Sequence, residues 1–368
     1  MGLYELTRPL EIADDWIWLV DHTVQIGAIK CLLIVGVRLS VWQELDRPLT
    51  HQDLSVVALE PAELSSAAQV EGEYEKGAKR TGAPRAILSD GARNLQRATE
   101  DFRHKHPETS SLYDVKHKVA LLLKRELEDD SQWQEFVRKA AASRSQLTHD
   151  PLAYLSPPTL KQKARFMNLN ELVAWGVKAR RFLDAPTPYP GQELNLGKMN
   201  LTLGWLRQYD ASMTDWLSLL QTANVTLESV RVRGYHAEAA AELRQALMPV
   251  ATRPVARRVA DDLVEFVGDQ SRQARHGERL PASTEVLESL IGKGKRLEGQ
   301  QSQGGFTRSV LAMAAAVTRP AQDLIDRAFA AVKTKDVLNW ARDKLGASHQ
   351  AQRQAAFQLP TQRGTKLA

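Results

Sequence analysis

Cysteine is almost missing from this chain: Cys31 is the single one among 368 residues. That count excludes a disulfide framework and a thiolate zinc site within one chain, and it fits a reducing compartment. Long apolar runs are missing as well. The most apolar stretch, around Cys31 to Val37, is far shorter than the roughly 20 residues that span a bilayer. The opening MGLYELTRPLEIADDW has no apolar core of the signal-peptide kind. A cytoplasmic protein with no membrane partner is expected. No Walker-type phosphate loop is present, because Gly292 to Lys295 lacks the spacing and the closing Ser or Thr. The His-Glu-x-x-His zinc pattern and internal repeats are also absent. Charge of one sign is not concentrated anywhere. The formal net charge of +5 is spread along the sequence, which permits a polyanionic partner without establishing one.

What is present in the first third has the texture of an α/β unit. Trp16 to Ile26 (WIWLVDHTVQI) is rich in β-branched and aromatic residues, and Gly27 follows as a turn signal. Ile29 to Leu39 is a second strand candidate placed to form a hairpin with the first. Leu54 to Leu59 reads as a third strand ended by Pro61. Ala62 to Lys79 is helical in pattern, with no breaker until Gly77. Ala86 to Leu88 is a short strand ending at Ser89-Asp90-Gly91, and Ala92 to His104 an amphipathic helix. Leu112 and Tyr113 make a last short strand before the helical run from Lys116 to Glu128.

Three antiparallel strands followed by crossover units are the order of an RNase-H-like α/β fold: a mixed five-stranded sheet with flanking helices. Residues 1–129 are then the first part of this core. Strand signals nearly vanish over 130–279, where Trp133 to Ala142, Leu160 to Leu183, Trp205 to Leu220 and Ala237 to Met248 read as helices punctuated by Pro157, Pro158 and Pro186 to Pro190. This is a large all-helical insertion. Residues 280–346 return to the core with an acidic helix, and the Gln-rich 347–368 is expected to be a disordered tail.

Three carboxylates stand out. Asp21 lies within WLVDHTVQIG, a strand apolar on both sides. Burying a carboxylate there costs several kcal/mol unless it is paired or bound to metal. An Asp at a sheet edge meeting solvent or a Lys is an equally good reading of that segment. Asp90 follows a strand and precedes a helix, the edge at which open α/β sheets bind ligands. An Asx-type cap with Gly91 as turn residue is the plainer alternative. Glu285 and Glu288 share a helix face, and Lys295 lies on the Glu288 face if the helix continues past Gly292 and Gly294. A solvated charged helix end is by far the plainer reading of them. Trp175, Trp205 and Trp216 read most simply as core, with base stacking as the sharper option. Arg180, Arg181, Arg231, Arg233, Arg257 and Arg258 read as solvated faces before they read as phosphate contacts.

The strand with Asp21, the Ser89-Asp90-Gly91 turn, YDVKH from Tyr113 to His117 and the late STEVLESLIGKGK segment together resemble the DDE transposases of bacterial insertion sequences. Many members carry a Cys or Asp, two residues, then His after the second catalytic Asp, which Asp114 and His117 match. The family's acidic helix has a Glu followed seven residues on by a Lys, as Glu288 is by Lys295. The resemblance extends over about Trp16 to Arg319. It implies that Asp21, Asp90 and Glu288, with Glu285 as the alternative third ligand, are catalytic and hold Mg²⁺ (Mn²⁺ as substitute), two ions in all. Asp114, His117 and Lys295 would support the site.

The implied activity is DNA transposition: metal-dependent cleavage and strand transfer at transposon ends, on double-stranded DNA of end and target, by a dimer or larger assembly. An inactive DNA-binding remnant and an RNase-H-like nuclease without strand transfer are the rival expectations. The family usually carries an N-terminal DNA-binding domain, whereas about fifteen residues precede the first strand here. A truncated remnant, a separate reading frame or a core whose insertion binds the transposon end is therefore expected.

Overall fold

The runs of β-branched and aromatic residues near the N-terminus do form the middle of a sheet, because each is apolar on both faces and stable only when covered on both. The structure, a computed structural model, describes residues 1–22, 30–62, 65–159, 169–187, 194–300, 306–318, 321–347 and 349–358; at 294, 295, 297–300, 306–309, 349, 350 and 358 it describes backbone alone. Outside that set lie residues 23–26 of the expected first strand with Gly27, 160–168 of an expected helix, Pro188 and Pro190, Arg319, and 359–368 of the tail.

In chain order the elements are α1 (Gly2–Thr7), β1 (Trp16–His22), β2 (Lys30–Arg38), α2 (Leu39–Glu44), β3 (Ser55–Ala62), α3 (Ala67–Thr81), β4 (Ala86–Ser89), α4 (Arg93–Lys105), β5 (Ser110–Tyr113), α5 (Val115–Leu127), α6 (Ser131–Leu147), α7 (Asn170–Asp184), α8 (Leu196–Leu203), α9 (Asp210–Arg231), α10 (Ala239–Leu247), α11 (Pro254–Ser271), α12 (Glu285–Gln300), α13 (Phe306–Ala315), α14 (Gln322–Ala331), α15 (Thr334–Leu345) and α16 (His349–Gln358). The sheet order is β3-β2-β1-β4-β5. β1 pairs antiparallel with β2, β2 antiparallel with β3, and β1 parallel with β4. The fold is therefore RNase-H-like α/β: a mixed five-stranded sheet with flanking helices. β3 runs on through Pro61, which the sequence suggested would end it. β3 is the edge strand, where a residue lacking an N–H is tolerated.

The chain divides into two compact units. One comprises Met1–Trp42, Leu49–Ser111 and Thr284–Ala368; the other comprises Gln43–Pro48 and Leu112–Ser283. In the first, one sheet face carries Trp16, Trp18, Val20, Leu32, Ile34, Val57 and Ile87. It is covered by Val70 and Tyr74 of α3 and by Leu95, Ala98 and Phe102 of α4. The opposite face, with Ile17, Leu19, Leu33, Val35, Val56 and Leu88, is equally buried. There α1 and α13 pack on β3, and α12 packs on β1.

α3 continues through Gly77 because of this packing rather than in spite of it. A Cβ there would lie 2.9 Å from the Trp18 ring and 3.0 Å from Val57. The glycine is what lets the helix approach the sheet. The 349–358 part of the tail is helix α16, exposed wherever its side chains are described.

The second unit contains α5 to α11. Its core is a set of crossed rings: Phe136 meets Trp205, Tyr209 and Trp216 edge-on at 5.4, 5.4 and 5.0 Å between centroids, and Trp133 meets Trp216 at 5.0 Å. Pairing of Tyr235 with Leu280 and the Tyr235 hydroxyl's bond to the Tyr113 carbonyl (2.7 Å) tie the two ends of this unit together.

Two expectations follow for stability. Gly77→Ala should lower it by about 1–2 kcal/mol, because overpacking against Trp18 outweighs the roughly 1 kcal/mol gain in helix propensity. Gly72→Ala, with nothing within 4 Å of its Cβ, should raise it by up to about 1 kcal/mol. Chemical denaturation followed by tryptophan fluorescence reads both; destabilisation of equal size at both sites would refute the packing account. The second concerns Asp15, which accepts from Arg38 Nε and from the Ser40 backbone and hydroxyl. Burial would raise its carboxyl, but the bonds from Arg38 and Ser40 prevail and hold it below the ordinary range. A depressed folded value means that the stabilisation is present above the unfolded value and lost as pH falls through the folded one. Asp15→Asn should thus cost at most about 1 kcal/mol at neutral pH. The difference from the native chain should begin to shrink below about pH 4 and go on shrinking as pH falls further. A difference that does not shrink at all as pH falls below about 4 would contradict it.

Candidate functional site

Asp21 sits on the central strand. By the alternation of β1 it belongs to the face of Ile17 and Leu19, the face on which α12 packs. Its Oδ1 accepts the His22 backbone N–H at 2.6 Å. The parallel register pairs Leu19 with Leu88 and Val20 with Ser89. Asp90 is the first residue beyond β4, one step past the last pair of that ladder, as Asp21 is one step past Val20. Both residues therefore lie at the C-terminal ends of neighbouring parallel strands, the edge where ligands bind in α/β sheets.

The plainer reading of Asp90 also holds. Its Oδ1 accepts the Ala92 N–H at 2.9 Å, and Gly91 takes φ +77°, a turn only glycine adopts without strain. The turn that starts α4 is what fixes the carboxylate.

α12 runs unbroken from Glu285 to Gln300, through Gly292 and Gly294. Leu287 and Leu290 are fully buried on it, Glu285 is exposed and Glu288 is half-buried. Lys295 is on the same helix, about two turns beyond Glu288; its side chain lies outside the described residues. Lys293 reaches His51 with its Nζ 3.0 Å from Nδ1, which anchors α12 to the 3₁₀ turn His51–Asp53. Burial, and then the Lys293 charge, push the His51 imidazole below its ordinary value. Among the described residues, no three His, Cys, Asp or Glu side chains form a group that could hold a metal ion.

A second cluster at this edge escaped the sequence. His22, on the α3–α4 side of β1, has its Nε2 2.7 Å from Ser65 Oγ, and the Ser65 carbonyl accepts from Asn94 Nδ2 at 2.9 Å. Burial pushes the His22 imidazole below its ordinary value; the Asp90 carboxylate pulls it up and Lys30 pulls it down. Asp90 is therefore within electrostatic range of His22. No sequence signal could have joined His22 to Ser65, forty-three residues on.

Asp114 and His117 belong to the second unit. Asp114 is fully buried and is the N-cap of α5: its Oδ1 accepts the backbone N–H of Lys116 (2.6 Å) and of His117 (3.2 Å), and its Oδ2 lies 3.7 Å from His117 Nδ1. In the same unit Trp216 is core, and Trp175 and Trp205 are half-buried against one another. Arg180 pairs with Asp184 and Asp210, Arg231 with Glu228, Arg233 with Glu242 and Arg258 with Glu126. Arg257 donates to the carbonyls of Ala251 and Thr252. These are intramolecular uses of the charges that the sequence left open for phosphate.

No helix among the described residues is long and apolar enough to cross a membrane. No protein-family model matches the chain, and no curated protein does. Among solved structures it is similar to a chain of a Drosophila P element transposase strand transfer complex, at 10% identity and a TM-score of 0.37, over 82% of this chain and 76% of that one. A likeness of that order bears on neither activity nor substrate. The fold assignment rests on the strand order and registers of the chain itself.

Proposed function

We propose that this chain is a metal-dependent DNA cleaving and joining enzyme of the DDE transposase type. The observation that supports the reading is the β1–β4 register, which runs in parallel to Val20 and Ser89, the residues just before Asp21 and Asp90. Carboxylate oxygens are the donors that Mg²⁺ or Mn²⁺ prefers, and strand ends hold them rigidly. Asp21 and Asp90 would hold the metal, two ions in the full complement. Glu288 on α12 would complete the set by turning about its three side-chain bonds, with exposed Glu285 as the alternative. When bound, the ions supply an activated oxygen nucleophile and neutralise charge at phosphorus.

The remaining roles belong to the protein. β1 and the Asp90–Ala92 turn would hold two carboxylates, α12 would supply the third ligand, and Lys295 would meet a phosphate two turns along. Asp114 and His117 shape the start of α5. The substrate is double-stranded DNA: a transposon end is cut, and its freed 3′-hydroxyl attacks target DNA. Holding two ends together calls for a dimer or larger assembly on DNA. The bacterial insertion-sequence type rests on the sequence resemblance alone.

One observation favours a second reading. Because no three-ligand group is gathered among the described residues, a chain that binds DNA without catalysis accounts for the same fold. It requires that Asp21→Asn and Asp90→Asn leave both DNA affinity and every measured activity unchanged.

A Mn²⁺ titration of the full chain, with and without duplex DNA, separates these readings. Asp21→Asn, Asp90→Asn and Glu288→Gln should each weaken Mn²⁺ at least about tenfold, and Glu285→Gln should change it little. Cleavage of a DNA end should fall with the same three variants, and covalent donor–target products distinguish strand transfer from simple hydrolysis. Mn²⁺ affinity indifferent to all four changes would sink the catalytic reading. For Asp114 the expectation is different in kind. Asp114→Asn keeps the cap and should hold stability within about 0.5 kcal/mol, whereas Asp114→Ala should cost about 1–2 kcal/mol in thermal or chemical unfolding. Equal losses in the two would mean that the charge, not the cap, is what Asp114 contributes.

A further inference from the structure

We propose that His22, Ser65 and Asn94 form a positioning brace that sets the spacing of the Asp21 and Asp90 carboxylates. This rests on the reading of those two residues as metal ligands, and it adds residues that neither the sequence motifs nor the fold family point to. The geometry is a chain of two hydrogen bonds joining three separate segments. His22 is the last residue of β1 and directly follows Asp21; its Nε2 meets Ser65 Oγ at 2.7 Å. Ser65 stands just ahead of α3, whose first turn is fixed by the Ser66 cap on Gln69. Its carbonyl accepts from Asn94 Nδ2 at 2.9 Å, and Asn94 is the second residue of α4. The start of α4 is in turn fixed to Asp90 by the Ala92 N–H.

The path therefore runs from Asp21 through His22, Ser65 and Asn94 back to Asp90. Both ends of it are bonded to the backbone that carries a carboxylate. The β1–β4 ladder fixes the strands only as far as Ser89, so the final position of Asp90 depends on the turn after it. The brace holds that turn from the α3–α4 side of the sheet, the side opposite Asp21 on β1. Hydrogen-bond partners one step beyond a metal's ligands typically alter its affinity by 10- to 100-fold, because they fix ligand orientation.

The test uses the full chain and Mn²⁺ alone, so that neither DNA ends nor turnover enters. Dissociation constants are measured for His22→Ala, Asn94→Ala, the double variant and His22→Gln, beside Asp21→Asn and Asp90→Asn. Thermal midpoints are taken in parallel. The expected result is about tenfold weaker Mn²⁺ in each alanine variant. The double variant should be no weaker than the worse single one, since both act through Ser65. His22→Gln, whose amide can still reach Ser65, should return to within about threefold of the native chain, a rescue that a general loss of stability would not produce. Asn94→Ala removes one bond from a half-exposed helix position, so it keeps the test open if His22→Ala does not fold. Native Mn²⁺ affinity in both alanine variants, with binding lost in Asp21→Asn and Asp90→Asn, overturns the brace and leaves the metal reading standing. Native affinity in all of them overturns both.

Discussion

The parallel pairing of β1 with β4 is the constraint on which the rest of the catalytic reading depends. Antiparallel neighbours alone would leave Asp21 with no carboxylate beside it, since β2 places Leu33 opposite. A parallel neighbour ends in the same direction, so the residue after β4 emerges at the same edge of the sheet as Asp21. That pairing requires a crossover, which α3 supplies, and α3 can lie close to the sheet because Gly77 presents no side chain to Trp18. Packing in the core and placement at the edge are thus one problem. A shift of the β4 register by one residue would turn Asp90 to the other face.

Both faces of the sheet are sealed, and by different parts of the chain. α3 and α4 come from the interval between strands, so the cluster of Trp18, Tyr74 and Phe102 is built from residues within the first third of the sequence. The other face waits for α12, about two hundred residues on, together with α1 and α13. The carboxylate face of β1 is therefore covered by the helix that also bears Glu288. Half-burial of Glu288 beside fully buried Leu287 and Leu290 is what such a position entails.

Much of this could be read from residues alone, and the reasons are physical. The strands of the sheet announce themselves because runs such as WIWLV are apolar at every position, a pattern that suits only a covered sheet. The fold class followed from the succession of strands and helices along the chain, which short connections and the crossover rule make easy to build. The turn at Asp90 was legible because Asp-Gly after a strand has few alternatives. Pro61 misled because a sequence does not say which strand lies at an edge; the helix read as far as Lys79 does run through Gly77, but no pattern shows the close approach to the sheet that the glycine permits. α1 and α2 are six-residue helices too short for a periodic pattern to declare them. The brace through His22 was invisible, since its partners are fixed by tertiary contact and by no local spacing. Lys295 stands between: the spacing from Glu288 was visible, and the unbroken helix supplies the continuity that Gly292 and Gly294 had left open.

The central claim is that Asp21 and Asp90 are two ligands of one ion site, and anomalous diffraction from crystals of the full chain grown with saturating Mn²⁺ tests it most directly. The expected result is a Mn²⁺ peak within coordination distance of both carboxylates. Mn²⁺ peaks that touch neither residue, or no bound ion at saturating concentration with both carboxylates ordered, would contradict it.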